Sequence, residues 1–543
     1  MHNRFFVGLV FCLSFFTASA VFASSSKLVG TKLAFERYQI TTPFNVSLPV
    51  IAVDIVPNEG APIDELVMIG VDELKQTWLA VYVLDEKTQQ FILLDKLLLA
   101  DEFFAFDVSE NKQGLYFLAK HKVVSLQYRD PKNSESKISD LNNTDLNNTD
   151  NSSAGLYFQH KQDVNSIFLL NKASFITETD FIQDVNKDGI DDIILPDFEQ
   201  TNLWLGSTNA AEYYYQAIAI NIEAELIRGS VNFSPTKLFL ADLNADGLQD
   251  IAWVSKGSIN YFSQTVIGKF SSQQKTLALA ETIYGLDWWQ IREADGQSPD
   301  QSNLTHRVVE QIKDVNGDGL VDVIVRFTQS SGVLDRTNNY EFYFGFTNKS
   351  NKDNKSNENG QLEFLNTPST VIKAEGTLTG LKIIDVNNDN KLEVLLSSFE
   401  LSVSNIIGAL MSGGIDQNVL LFALNKQDVY SDDALISKEV ELSFSLTSGQ
   451  SGQPIVMLTD VNGDTLQDLV LSSGKNKVKV FLGQNSARLF SRKASKHKFS
   501  LPKNGALFEH ADLNHDGKED FIMRYGRLDD ESMANKVTIL MVK

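Results

Sequence analysis

The sequence predicts an all-β fold, a single β-propeller of eight four-stranded blades, with seven blades as the alternative. Three observations lead to this prediction. An acidic motif recurs between short apolar runs, the recurrences lie 52 to 77 residues apart, and helical spacing of apolar residues is almost absent. An average interval of about 65 residues accommodates four strands of ~5–6 residues with their loops.

The composition is that of a large folded chain. It has 543 residues, of which 43% are hydrophobic and 22% charged, and its formal net charge is -22. This apolar content is too high for general disorder and sufficient for a large core. So acidic a surface disfavours nucleic acid as a partner. We expect a monomer.

Residues 1–23 have the pattern of a secretion signal peptide. Arg4 precedes an apolar segment, and Ala20 or Ala23 offers a small-residue cleavage site. The apolar segment is short for a membrane span, and no later segment is long enough to be one. We therefore predict an exported protein, periplasmic, cell-surface or extracellular, whose mature chain is the propeller of residues 24–543.

The only cysteine, Cys12, lies inside this signal. A lipoprotein is the alternative interpretation of "LVFC", but Phe11 stands where a small residue is expected. The mature chain then has no cysteine and no disulfide. Exported proteins meet calcium at higher concentration than cytosolic ones do, which makes calcium the expected stabilising element.

The motif Asp-x-Asn-x-Asp occurs six times, each time between two apolar runs. The copies are "DVNKDGIDD" from Asp184, "DLNADGLQD" from Asp242, "DVNGDGLVD" from Asp314, "DVNNDNKLE" from Asp385, "DVNGDTLQD" from Asp460 and "DLNHDGKED" from Asp512. The flanking runs are short and rich in β-branched residues, which favours strands. The repeated unit is therefore strand, acidic loop, strand.

Calcium chemistry explains the spacing within the loop. Calcium takes six to eight oxygen ligands, and a tight loop supplies them from side chains at positions 1, 3, 5 and 9 and a carbonyl at position 7. The predicted ligands, up to about six ions in total, are Asp184, Asn186, Asp188, Ile190 and Asp192; Asp242, Asn244, Asp246, Leu248 and Asp250; Asp314, Asn316, Asp318, Leu320 and Asp322; Asp385, Asn387, Asp389, Lys391 and Glu393; Asp460, Asn462, Asp464, Leu466 and Asp468; and Asp512, Asn514, Asp516, Lys518 and Asp520.

The loops have two other possible interpretations. A helix-flanked calcium hand requires glutamate at position 12, where the first copy has Leu195. Acidic β-turns without metal remain the alternative, because Asp, Asn and Gly favour turns. Asn390 and Thr465 replace the glycine of position 6 in two copies, and Thr465 makes the Asp460 loop the weakest predicted site.

Two earlier segments, around Asp54 and Asp107, keep the apolar runs but lose carboxylates, so we expect little metal there. They complete the count of eight blades. After the Asp512 loop the chain has one strand too few for a blade. We predict that the segment Leu33 to Ile40 supplies the missing outer strand, which closes the ring and removes an exposed sheet edge.

The unit "DVNGDGLVDVIV" from Asp314, repeated across nearly the whole mature chain, resembles the FG-GAP/VCBS repeats of integrin-α-like β-propellers. The resemblance implies a calcium-binding propeller. That family includes adhesion and receptor domains, lectins and assembly scaffolds, so it implies a binding, adhesion or scaffold module for a protein or glycan partner. Related propellers occur among polysaccharide lyases, so a polysaccharide-degrading lyase or hydrolase is the alternative.

The insertions offer candidate interaction surfaces. Polar segments near 130–153 and 347–361 are predicted to be mobile loops. Trp288, Trp289 and Arg292 could form a sugar-stacking or partner-binding surface, or else one tryptophan fills the blade core and the other shields a loop. The apolar insert from Ser404 to Gly413 is predicted to form a short helix that caps the propeller or docks a partner.

The sequence contains no recognised catalytic motif. The mature chain has six histidines, of which His510 and His515 lie at the last acidic loop and are interpreted as loop residues. Most carboxylates of the repeats are assigned to calcium. Catalytic residues are therefore unknown, and the protein is predicted more as a binding protein than as an enzyme.

Overall fold

The fold is an eight-bladed β-propeller closed by its N-terminal strand, as the sequence predicts. A computed structural model describes residues 33–56, 63–85, 87–130, 155–207, 213–227, 230–266, 268–293, 295–332, 335–348, 361–373, 376–399, 414–445 and 450–543. Its sheets are antiparallel apart from two short parallel pairings. The predicted signal peptide, Cys12, the insert from Ser404 to Gly413 and most of the two polar insertions lie outside the described residues.

Blades 1 to 4 follow one another along the chain. Blade 1 contains β2 (Asn45–Val46), β3 (Ile51–Val53), β4 (Glu65–Val71), β5 (Thr77–Asp85) and β6 (Gln90–Leu98); blade 2 contains β7 (Phe103–Val108), β8 (Leu115–Ala119), β9 (Lys122–Arg129), β10 (Gly155–Asp163) and β11 (Thr177–Glu178); blade 3 contains β12 (Ile182–Gln183), β13 (Asp192–Pro196), β14 (Thr201–Leu205) and β15 (Tyr214–Ile218). A hairpin of β16 (Glu223–Ile227) and β17 (Ser230–Ser234) precedes blade 4, which contains β18 (Leu238–Ala241), β19 (Asp250–Ser255), β20 (Ser258–Gln264) and β21 (Phe270–Ala278).

Blades 5 to 7 continue the ring. Blade 5 contains β22 (Ile283–Tyr284), β23 (Leu304–Lys313), β24 (Asp322–Ser330), β25 (Arg336–Tyr343) and β28 (Thr370–Ile372), with a side hairpin of β26 (Gly345–Asn348) and β27 (Gln361–Phe364); blade 6 contains β29 (Thr377–Ile384), β30 (Glu393–Phe399), β31 (Gly414–Phe422), β32 (Ile436–Ser445) and β33 (Gln450–Gly452); blade 7 contains β34 (Val456–Thr459), β35 (Asp468–Ser472), β36 (Lys477–Phe481) and β37 (Ser495–Lys498). Short 3-10 helices lie at Gln301–Asn303, Gly505–Leu507 and Glu531–Met533.

Blade 8 joins the two ends of the chain. It contains β38 (Phe508–Ala511), β39 (Asp520–Arg524), β40 (Lys536–Val542) and, at its outer edge, β1 (Phe35–Thr41). β1 is antiparallel to β40, with Phe35 opposite Val542 and Thr41 opposite Lys536. The prediction that the N-terminal strand completes the last blade is confirmed.

The hydrophobic core is divided among the eight interfaces between consecutive blades. Each of eight apolar clusters draws its residues from two neighbouring blades, and the cluster with Tyr38, Ile40, Leu66 and Met68 joins blade 8 to blade 1. Each sheet is therefore covered on both faces. This explains why the inner strands have nearly continuous apolar sequences rather than alternating ones.

No helix within the described ranges is long and apolar enough to cross a membrane.

Candidate metal loops

Each of the six acidic loops connects two consecutive antiparallel strands of its blade, and all six have the same internal hydrogen bonds. In the Asp184 loop, the position 1 carboxylate accepts from the N–H of Gly189 at 2.8 Å, Asn186 accepts from Asp188 N–H at 3.1 Å, and Asp188 accepts from Ile190 N–H at 2.9 Å. The other five loops repeat these three bonds. The loop conformation is therefore fixed by the side chains predicted as ligands.

The backbone of each loop is left-handed at positions 4 and 6. Position 6 has φ of 83° at Gly189, 63° at Asn390 and 71° at Thr465. Threonine rarely adopts this conformation because its branched Cβ approaches the carbonyl oxygen. The Asp460 loop thus keeps the common shape despite its Thr465, and the sequence deviation appears as local strain rather than as a different fold.

The carboxylate at position 9 is the buried member of each loop. Its residues, Asp192, Asp250, Asp322, Glu393, Asp468 and Asp520, are at most 3% exposed. In every copy it accepts a hydrogen bond from the N–H of position 2, at 2.9 to 3.3 Å. Burial, reinforced by the carboxylates of positions 1 and 5, raises the pKa of each of the six to about 7.

The four loops of blades 5 to 8 are bonded to one another across the blade boundaries. The N–H of position 8 donates to the preceding loop: Leu392 to the carbonyl of Val315 at 2.9 Å, Gln467 to Val386 at 3.1 Å, and Glu519 to Asp460 at 2.8 Å. Between blades 5 and 6 the approach is so close that a Cβ on Gly317 would lie 2.4 Å from the carbonyl oxygen of Asn390. The loops of blades 5 to 8 therefore form a bonded series along this part of the ring.

The segments around Asp54 and Asp107, which keep the apolar runs but lack most of the loop carboxylates, differ from one another. In blade 1, Glu65 accepts from the N–H of Ile55 at 2.8 Å, which is the bond that position 9 makes in the six loops. Burial raises the pKa of Glu65 to about 7. Sequence reasoning missed this residue because three extra residues separate it from Asp54. In blade 2, Asp107 instead accepts from the N–H groups of Phe181 and Ile182, both at 2.6 Å, and so anchors blade 3.

The loops offer the kinds of donor atom that calcium requires. Their donors are carboxylate, amide and carbonyl oxygens, the hard ligands that calcium takes. A carboxylate has about four lone-pair positions, so those already bonded to backbone N–H groups keep others for a cation. Within the described ranges, however, no three His, Cys, Asp or Glu side chains already converge as a metal-binding group. The donor atoms therefore fit calcium. In the described residues, however, the carboxylates of a loop do not yet converge on one point and would have to move toward a bound ion.

The buried carboxylates predict how stability varies with pH in metal-stripped protein. Their folded pKa of about 7 lies above the unfolded value of ~4, so the folded state binds more protons than the unfolded state between these values. The contribution of these carboxyl groups to the free energy of unfolding is therefore fully present below pH ~4 and is lost as the pH rises through ~7. We expect the melting temperature of metal-free protein to fall by several degrees from pH 5 to pH 7.5. An unchanged or rising melting temperature would contradict the burial of these groups.

The strain at Thr465 predicts a stabilising substitution. Thr465→Gly removes a left-handed penalty of ~1–2 kcal/mol and incurs ~0.5–1 kcal/mol of extra chain entropy, so we expect a net gain of up to about 1 kcal/mol. The bond from Asn388 Nδ2 to the Thr465 carbonyl, 2.9 Å, is retained, whereas the exposed bond from the same amide to Thr465 Oγ1, 3.2 Å, is lost. Denaturant unfolding measures the gain. Asn390→Gly is the matched control and should gain less, because asparagine tolerates this conformation.

The tryptophan pair is divided between the interior and the surface. Trp288 is 8% exposed, whereas Trp289 is 48% exposed. The guanidinium of Arg336 lies 4.8 Å from the ring centre of Trp288. The two rings meet edge to face at 5.5 Å. Arg292 donates to the carbonyls of Trp289 and Ile291 at 2.7 and 3.0 Å, which fixes its own loop. Of the predicted ligand surface, only Trp289 presents a large part of its ring to solvent.

The histidines near the last acidic loop connect blades. His515 Nε2 lies 2.9 Å from Asp64 Oδ1 and so links the blade 8 loop to blade 1. Asp64 is 1% exposed, and burial raises the pKa of its carboxyl. His510 Nδ1 lies 2.9 Å from Glu519 Oε2 within blade 8 and 3.1 Å from Thr459 Oγ1 of blade 7. Both side chains have structural partners, and sequence spacing alone does not indicate the first of these contacts.

The arrangement of the eight blade sheets defines the class of this protein as a β-propeller, and comparison with known proteins adds no family. No protein-family model and no curated protein matches the chain, so membership of the FG-GAP/VCBS family stays a prediction. Three similar solved structures are a Lactobacillus plantarum protein, a proposed 6-phosphogluconolactonase from Bacteroides fragilis, and the WD40 domain of SCAP from fission yeast. Their identities are 9%, 8% and 10%, and their TM-scores 0.30, 0.29 and 0.29. They cover 86%, 84% and 84% of this chain, and 97%, 96% and 99% of their own. At these values the likenesses carry no argument about function.

Proposed function

We propose that the protein is an exported, calcium-stabilised β-propeller that binds a protein or glycan partner. The observation that supports this most is the repetition of one loop geometry in six blades. The repeated carboxylates are built into the blade junctions, where they serve the scaffold. A rigid ring of this kind presents its connecting loops and blade edges as binding surfaces.

Calcium would bind at the six loops through the side chains of positions 1, 3, 5 and 9 and the carbonyl of position 7. Its charge would offset the repulsion among three carboxylates, one of which is buried. Because the loops of blades 5 to 8 are bonded to their neighbours, binding at one of these loops would stabilise the junction with the next blade. In this proposal calcium is structural and takes no part in any reaction.

Binding and catalysis are separated by two assays on the same preparation. A glycan array and a pull-down from envelope or matrix extracts test for a partner. Incubation with acidic polysaccharides, followed through the absorbance of unsaturated uronates, tests for a lyase. We expect saturable binding and no progressive rise in absorbance. A steady rise proportional to protein concentration would replace the binding proposal with the enzymatic one.

The tryptophan surface is tested by a pair of substitutions. Trp289→Ala should weaken binding of neutral and acidic glycans alike, because stacking on an aromatic face does not require charge. Its melting temperature should change little, since the ring is half exposed. Trp288→Ala is the contrasting variant and should cost ~3–5 kcal/mol of stability. Unaltered glycan binding by Trp289→Ala would remove this surface from the proposal.

A further inference from the structure

Blade 7 is an exception to the acidic character of the chain. Residues 469–508 contain nine Lys and Arg residues and no Asp or Glu, although the formal net charge of the chain is -22. This segment supplies most of β35 together with β36 and β37. Concentrating positive charge in one blade of an acidic ring requires a physical reason.

Four lysines of blade 7 share one face of the sheet. Lys477 lies directly opposite Lys498, and Lys479 directly opposite Lys496. The alternate residues point the other way: Val478 is buried in the cluster between blades 7 and 8, and the His497 ring lies 4.8 Å from Phe35 of blade 8. The four lysines therefore face the outer part of the cleft toward blade 6.

This arrangement is unfavourable for the free protein. Like charges directly opposite one another destabilise an antiparallel pair. Within the part of the chain that the structure describes, none of the four lysines forms an ion pair with a carboxylate. Lysines often protect an edge strand from aggregation, and β37 is such an edge. β36 is paired on both sides, however, so edge protection does not explain Lys477 and Lys479.

The lysine face continues into a groove between blades 6 and 7. The groove has a volume of about 510 Å³, and none of its lining residues is acidic. Lys438 enters it from blade 6, and Arg488 and Arg492 enter it from the connection between β36 and β37. Lys438 Nζ lies 5.0 Å from the ring centre of Phe481, two residues after Lys479 on the same face. The basic strip thus comprises Lys438, Lys477, Lys479, Arg488, Arg492, Lys496 and Lys498.

We infer that the basic strip binds a linear acidic polysaccharide that carries carboxylate or sulfate groups along its length. This inference rests on the proposed binding function and names its partner class. Residues on one face of a strand repeat about every 7 Å, and cross-strand partners lie about 5 Å apart. The strip therefore presents a ladder of cations, which complements the repeated charges of an extended polymer better than a single anion.

Other polyanions fit the strip less well. Single-stranded nucleic acid is held by aromatic side chains that stack on the bases, but the aromatic residues of the groove, Phe481 and Phe490, are only 8% and 4% exposed. An anionic bilayer is flat, whereas Lys438 and the two arginines line a groove.

The test compares two variants that remove the same charge from different places. The strip variant carries Lys477→Gln, Lys479→Gln, Lys496→Gln and Lys498→Gln. The control variant carries Lys87→Gln, Lys275→Gln, Lys313→Gln and Lys426→Gln, four exposed lysines on blades 1, 4, 5 and 6. Affinities are measured for hyaluronan, dextran sulfate and neutral dextran at several salt concentrations.

We expect the strip variant to bind the acidic polysaccharides at least about 10-fold more weakly, with a shallower salt dependence, because fewer counterions are released. The affinity of the control variant should stay within about 2-fold of the wild-type affinity, because its lost charges act only at long range and are screened by salt. Neutral dextran should not bind through the strip. Preference for hyaluronan or for dextran sulfate identifies carboxylate or sulfate as the recognised group, and either supports the inference.

Several results would overturn the inference. These are equal losses of affinity in both variants, no loss in either, or tighter binding of single-stranded DNA or phosphatidylglycerol vesicles than of both polysaccharides.

The strip variant should melt no lower than wild type, since it removes repulsion among the lysines. Arg488→Gln with Arg492→Gln provides an independent second variant. A partner captured equally by wild type and strip variant would reject the strip while leaving the proposed binding function intact.

Discussion

Deletion of residues 33–40 is expected to open the ring and lead to aggregation or loss of folding. β1 provides the outer strand of blade 8, and its Tyr38 and Ile40 are buried in the cluster that joins blade 8 to blade 1, while Leu33 is buried against blade 7. Removing three buried apolar side chains costs on the order of 5 kcal/mol or more. That is comparable with the whole stability of many proteins, ~5–15 kcal/mol.

The deletion also exposes the edge of β40 to pairing with other chains. Thermal melts and light scattering in calcium measure both consequences. Deletion of Asn133 to Ser153, a polar segment outside the described residues, is the control and should be well tolerated. Ile40→Ala is an intermediate variant and should cost ~2–5 kcal/mol without opening the ring. Equal melting temperatures for the two deletions would show that the N-terminal strand does not close the propeller.

Removal of calcium is expected to lower the melting temperature strongly, and its return should restore it. An ion that binds only the folded state stabilises it by ~2.7 kcal/mol per site at a concentration 100 times its Kd. Six loops with one geometry make the summed effect large. Calorimetry in chelator, then in excess calcium, measures it. An unchanged melting temperature in excess chelator would reject the metal assignment.

Single loops are compared through substitutions at position 1. Asp314→Ala should reduce the calcium-dependent stabilisation more than Asp460→Ala, because the Asp460 loop carries the strained Thr465. Asp335→Ala, an exposed acidic residue in another loop of blade 5, is the control and should leave the calcium response unchanged. Equal responses of Asp314→Ala and Asp335→Ala would remove the Asp314 loop from the set of sites.

Much of the fold could be predicted because its information is local and repeated. Each acidic motif lies between two apolar runs, so strand, loop and strand can be recognised within about twenty residues. The closing strand could be predicted by counting, because a blade with three strands leaves an unpaired edge. The candidate loops were likewise local: the residues of positions 1, 3, 5 and 9 bond to backbone groups of the same loop.

Other parts of the site depend on contacts between distant segments. Glu65 matches position 9 only when its bond to Ile55 is seen, because an insertion hides its spacing. The tryptophan pair has one buried and one exposed member, and adjacent residues of the same type carry no mark of that difference. The link between His515 and Asp64 spans 451 positions along the chain.

By itself the sequence determined the all-β class, the repeat, the closing strand and the conformation-directing residues of the six loops, while it left seven blades open beside eight. These follow from periodicity and from hydrogen bonds within a few residues, which any chain with this pattern would form. The tertiary structure decided which loops touch, which carboxylates are buried and where the lysines of blade 7 face. These depend on how one blade packs against the next, because burial and the proximity of charges arise only when segments far apart in the chain come together.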